Sequence, residues 1–153
     1  MVAPVRLASF LLLAALGALA SRAAPAAPPA GWEQLSVGPM KTSIYVGSVT
    51  LTPGPFVRKG DTYTATYEAT VWPWFFWGEK GSVTIQVPEA GLRRAARGET
   101  VEFAGDGANQ KGKPRHVTGR AQPANATTGK LKLRIKADGI ELIFNGTYRL
   151  GSN

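Results

Sequence analysis

Histidine occurs once in the 153-residue chain, at position 116, and cysteine not at all. A zinc site needs several His, Cys or carboxylate ligands, and a nucleophilic triad needs a histidine base, so a histidine-dependent site of either kind would have to be built on His116. That residue stands between Arg115 and Val117 at the start of a weak, basic strand, with no carboxylate near it in sequence. Its plainer interpretation is an exposed side chain at a strand end, because a working histidine needs a partnered pocket. The 10 carboxylates are scattered singly, and no two are spaced so as to force an acid and base pair. Gly105-Asp106-Gly107 is a turn cluster too short for a nucleotide loop, and no EF-hand spacing occurs. The chain is therefore expected to be non-enzymatic, with no cofactor and no metal. An enzyme whose site is assembled only in space is the alternative.

Two features stand above background. From Gly107 to Lys136 there are eight Lys or Arg residues and no Asp or Glu. Within this stretch Lys130, Lys132, Arg134 and Lys136 alternate with Leu131, Leu133 and Ile135, so on a strand the four cations project from one face about 7 Å apart. With Arg115 and Arg120 they make a candidate binding face for an anionic polymer such as a phosphate-, sulfate- or uronate-bearing chain. The plainer interpretation is a solvated face that keeps the sheet soluble and blocks edge-to-edge pairing. Aromatic residues, which interleave with cations where single-stranded nucleic acid is bound, are missing from this region, so nucleic acid is not an expected partner.

The second feature is Trp72-Pro73-Trp74-Phe75-Phe76-Trp77, which holds three of the chain's four tryptophans. Pro73 has no amide hydrogen to give a ladder, which puts the segment at an edge or in a loop, where five rings are hard to bury together. Exposed, Trp72, Trp74, Phe75, Phe76 and Trp77 would form a contact patch for a sugar face, a lipid boundary or a protein. The alternative turns Trp72, Trp74 and Phe76 into the core and leaves Phe75 and Trp77 as a rim.

The elements that must position these groups read as strands. Thr62 to Val71 and Ser82 to Val87 alternate apolar with polar residues, and Thr42 to Leu51 is a β-branched run closed by Pro53-Gly54-Pro55. Asp138-Gly139 suits a two-residue type I′ turn pairing Ala137 with Ile140, Ile135 with Leu142 and Leu133 with Phe144. That register puts the apolar residues of both strands on one face and sets Lys136 against Glu141 on the other. Weaker strands at Thr100 to Ala104 and Arg115 to Ala121 flank a loop holding Asp106-Gly107 and Lys111-Gly112. Pro88 to Arg97 is the one helical stretch: Leu92, Ala95 and Ala96 share a side and Glu89 precedes Arg93 by four. The expected fold class is all-β, mainly antiparallel: a small barrel or sandwich of about seven or eight strands with one short helix near residues 89–97.

Residues 1–20 have the parts of a cleavable signal peptide: Arg6, an apolar run from Leu7 to Ala20, and small residues at Ala18 and Ala20. The run is shorter than the roughly 20 residues a spanning helix needs, so no transmembrane helix is expected after cleavage. Residues 21–31 read as an Ala/Pro-rich disordered spacer, 32–150 as a single domain and 151–153 as a flexible C-terminus. The absence of cysteine in an exported chain leaves stability to packing and favours a bacterial periplasmic or extracellular location. The functional expectation is an exported, non-catalytic binding module that engages an anionic envelope component, polysaccharide or partner protein through its basic face, its aromatic loop, or both. A small outer-membrane barrel or structural envelope protein is the alternative, and the oligomeric state is left open.

Overall fold

The computed structural model describes residues 31–151. The assigned signal peptide, all but the last residue of the spacer, and residues 152–153 lie outside the described residues. Strands run in the order β1 (Gln34–Val37), β2 (Met40–Ile44), β3 (Gly47–Pro53), β4 (Phe56–Lys59), β5 (Thr62–Trp72), β6 (Glu79–Gln86), β7 (Val101–Asn109), β8 (Pro114–Pro123), β9 (Thr128–Ala137) and β10 (Ile140–Leu150). A helix, α1 (Glu89–Ala96), joins β6 to β7, and a 3-10 turn, Phe75–Trp77, lies between β5 and β6.

All pairings are antiparallel. β5 to β10 form a meander in which each strand pairs with the next, β10 pairs β1, β1 pairs β4, and β4 returns to β5. The result is a closed eight-stranded barrel with two extra strands, which satisfies the ladder groups that an open sheet would leave at its edges. The extra pair is an extension of the same architecture. β3 takes up the part of β5 that β4 does not reach, from Pro53 opposite Tyr67 to Ser48 opposite Trp72, and β2 pairs β3. Gly38-Pro39 and Gly54-Pro55 are where each long arm breaks, as expected of residues that interrupt a ladder.

The β9–β10 hairpin has the register its pattern predicts, with Ala137 opposite Ile140, Ile135 opposite Leu142, Leu133 opposite Phe144 and Lys136 opposite Glu141. Asp138 and Gly139 both take positive φ, 50° and 79°, as a type I′ turn requires. The apolar segregation is less complete than expected. Ile143 lies opposite Arg134 on the outward face, and Ile140, at the very end of its strand, is exposed.

Two strand assignments change. The stretch from Thr42 to Leu51 is two strands turned at Tyr45-Val46, residues with none of the usual turn chemistry. Asp106-Gly107 lies within β7, which runs on to Asn109. The glycines serve close approach here: a Cβ on Gly105 would stand 2.2 Å from the Thr84 carbonyl oxygen, and one on Gly107 2.4 Å from that of Ser82.

Helix α1 closes one pole. Its apolar side buries Leu92 and Ala95 while Glu89 and Arg93 pair on the polar side. Trp32 is buried, and its carbonyl accepts a 2.6 Å hydrogen bond from the buried Tyr63 hydroxyl. Both ends of the described chain meet near this pole, where the Gly151 amide donates to the Gln34 carbonyl at 2.8 Å. Full burial concentrates toward the capped half, as at Leu35, Phe56, Ile85 and Leu131. Inward residues nearer the opposite pole, such as Ala69, Val71, Val83 and Leu142, are only half buried.

Candidate functional site

The partial burial has a cause that can be read from residue size. Many inward positions hold Ala or Val, and in an eight-stranded barrel, whose interior larger side chains can fill, residues this small leave room for one small ligand. A cavity of about 810 Å³ remains. Its walls are apolar, including Val37, Ala69, Val83, Val117, Leu133 and Phe144. It extends from Leu92 and Ala95 beneath the helix to Tyr45, Trp77 and Ile140 at the opposite pole, where it opens.

Just inside this mouth sits a cluster of polar residues brought together by five elements. Arg115, at the start of β8, is buried and grips Glu79, at the start of β6, with two parallel bonds: Nε to Oε1 at 2.9 Å and Nη2 to Oε2 at 2.7 Å. Nη2 also reaches Asp138 of the β9–β10 turn at 3.2 Å. The Tyr67 hydroxyl of β5 donates to Glu79 at 2.8 Å, and the Asn109 amide of β7 donates at 3.2 Å. The Arg115 hydrogen bonds, helped by those from Tyr67 and Asn109, hold the Glu79 carboxyl down to about 2 against its own burial. Burial, and then the hydrogen bond to Glu79, push the Tyr67 hydroxyl above its ordinary value. Arg115 is likewise raised, chiefly by its bonds to Glu79. A carboxylate held ionised by a bidentate arginine that also reaches Asp138 makes a cross-braced polar collar just inside the mouth.

The sequence-predicted residues fall in two places. Lys130, Lys132, Arg134 and Lys136 project outward from β9, and Arg120 faces outward on β8 opposite Lys132. Arg120 is paired with Glu102 and Arg134 with Glu141, each at 2.9 Å. Arg115 does not belong to that face. It shares inward parity with Val117, while His116, Thr118 and Arg120 point out. His116 meets Asp106 across the β7–β8 ladder, Nδ1 to Oδ1 at 2.6 Å, on the half-exposed outer wall. That carboxylate, ten positions upstream, is invisible until the strand register is known.

The aromatic segment crosses the mouth and none of its rings enters the core. Trp72 is 63% exposed, Trp74 40%, Phe75 72%, Phe76 75% and Trp77 56%, so the core placement of Trp72, Trp74 and Phe76 does not occur. Trp74, Phe76 and Trp77 pack on one another with centroids 5.5 to 6.0 Å apart, which fixes the loop without burying it. Tyr45 and Val46 of the β2–β3 turn and Ile140 are exposed at the same pole.

Sequence reasoning missed Glu79, Tyr67 and Asp138. The available signal was parity: Arg115 alternates with Val117, which marks an inward cation and so demands an inward carboxylate. Among the described residues, no group of three or more His, Asp or Glu stands together as a metal site, and no helix is long and apolar enough to cross a membrane. Compared with known proteins, the chain matches no family model, no curated protein and no solved structure.

Proposed function

We propose that this chain is an exported, non-catalytic binding protein whose barrel encloses one small, largely apolar ligand admitted through the aromatic mouth. The cavity is the observation that carries this reading. At about 810 Å³ it falls within the roughly 300–1,000 Å³ of small-molecule sites, and its polar groups gather at one end, as in sites that bury a hydrocarbon body and orient a head. Water is a poor occupant of the apolar depth, since a buried water needs two to four polar partners. The outward faces argue against a bilayer-spanning barrel. Such a barrel needs an apolar outer band roughly 25 Å tall, whereas here Thr64, Thr66 and Glu68 of β5 and the cations of β9 face out.

The test is titration with the apolar fluorophore N-phenyl-1-naphthylamine, with the full chain and its Ala69→Phe/Val83→Phe variant. The wild type is expected to give saturable enhancement that long-chain alcohols displace. The variant is expected to lose it while melting no earlier than wild type, because the added rings fill space that a packed core would not have. Unsaturable enhancement, or a variant that unfolds yet leaves enhancement unchanged, would refute the reading.

A second role is supported by Lys130, Lys132 and Lys136, which carry no ion pair among the described residues and line one strand of the outer wall. This face suits retention near an anionic envelope polymer or polysaccharide.

A further inference from the structure

The apolar side chains at the open pole form a collar around the cavity mouth, and that collar has a chemistry of its own. Trp72, Trp74, Phe75, Phe76 and Trp77 on one side, Tyr45 and Val46 on a second and Ile140 on a third are all at least 40% exposed. They sit on turns or at strand ends at one end of a closed barrel, which gathers them at one pole. Three are tryptophans and one a tyrosine, residue types that settle at the boundary between lipid headgroups and acyl chains.

The charges around the collar point the same way. The acids at this pole are engaged: Glu68 by Lys80, Glu79 and Asp138 by Arg115, Glu141 by Arg134, and Asp106, level with Lys136 in the ladder, by a hydrogen bond with His116. Lys111, at the tip of the β7–β8 turn, and Lys136, near the end of β9, carry no ion pair among the described residues. A rim with rings at its tip and free lysines beside them complements a bilayer whose headgroups are negative. We infer that the aromatic rim docks on the interface of an anionic phospholipid bilayer, with its rings at the depth of the glycerol backbone and the cavity opening onto the lipid. This goes beyond ligand enclosure and does not require the cavity to be filled.

Tryptophan emission reads the contact directly, because Trp32 is buried toward the other pole and the remaining three tryptophans are on the rim. The full chain is mixed with vesicles of phosphatidylcholine and phosphatidylglycerol whose acyl chains are brominated. Quenching is expected, weaker with phosphatidylcholine alone. Phe75→Ser/Phe76→Ser should melt close to wild type, since both rings are largely in solvent and Trp74 still packs on Trp77, and should partition on the order of tenfold less. Lys111→Glu/Lys136→Glu should lose the preference for anionic vesicles while keeping the rings. Both variants retain residues 1–30, so attachment by the apolar run at Leu7 to Ala20 does not produce these differences. Ala69→Phe/Val83→Phe should still dock, which separates failure of the cavity reading from failure of this one. The inference is overturned if brominated lipid leaves the wild-type emission unchanged, or if the serine variant is quenched equally. It is also overturned if the rim instead joins two copies of the chain, seen as a dimer that the serine variant abolishes while vesicles have no effect.

Discussion

Arg115 exchanges its water for two oxygens of Glu79, and that exchange makes folding responsive to acid. Glu79 titrates near its ordinary value of 4.5 when unfolded and at about 2 when folded. Its contribution is therefore complete above about pH 5 and is lost as pH falls toward 2, a change of about 3 kcal/mol at most. Glu79→Gln should cost about 3 kcal/mol at pH 7, because it leaves a buried guanidinium with only the exposed Asp138 carboxylate as counter-charge. Urea unfolding at pH 7 and pH 3 should show the gap between variant and wild type narrowing in acid; an equal gap at both pH values would show that the pair is not the source. Of this five-residue cluster only Arg115 was picked out from the sequence, and it was assigned to the outward basic face. Arg115 alternates in phase with Val117, but Glu79 lies 36 positions earlier and reaches it only through two intervening ladders.

At the scale of elements, the β9–β10 hairpin was legible because two independent signals agreed, the period-2 pattern and the Asp138-Gly139 turn. The β2–β3 hairpin was not, because Tyr45 and Val46 look like strand residues and only the return of β3 along β5 makes them a turn. β7 was read too short for a related reason. Asp106-Gly107 resembles turn chemistry, yet Gly107 is there so that β7 can lie against the β6 backbone. Gly107→Val should force these strands apart and lower stability by about 2 kcal/mol or more, measured by urea unfolding. A variant as stable as wild type would mean that the glycine serves the ligand and not the ladder.

For the molecule as a whole, the all-β class and the one α-helix of the described residues followed from alternation and spacing, whereas the choice of a closed barrel over a sandwich, and ten strands rather than seven or eight, did not. The cavity did not. It is the volume left over when inward side chains fail to span a barrel, and that remainder depends on shear and closure, which no local pattern encodes. Charge, by contrast, is a whole-molecule property that survives folding. With 18 basic and 10 acidic residues, the chain should be retained on a sulfated polysaccharide matrix and elute as salt rises past the range where screening becomes short. Lys130→Glu/Lys132→Glu/Lys136→Glu should elute markedly earlier; coelution with wild type would move the attraction elsewhere on the surface.

The hydrogen bond between Gly151 and Gln34 ties the beginning and end of the barrel together at the helix-capped pole, the full height of the molecule away from the aromatic mouth. A fluorescent reporter, an affinity handle or a fused enzyme attached at either end of the domain would emerge on the far side from the opening. The same proximity makes the barrel a natural candidate for circular permutation, with new ends cut at an outer loop and the old ones bridged by a few residues.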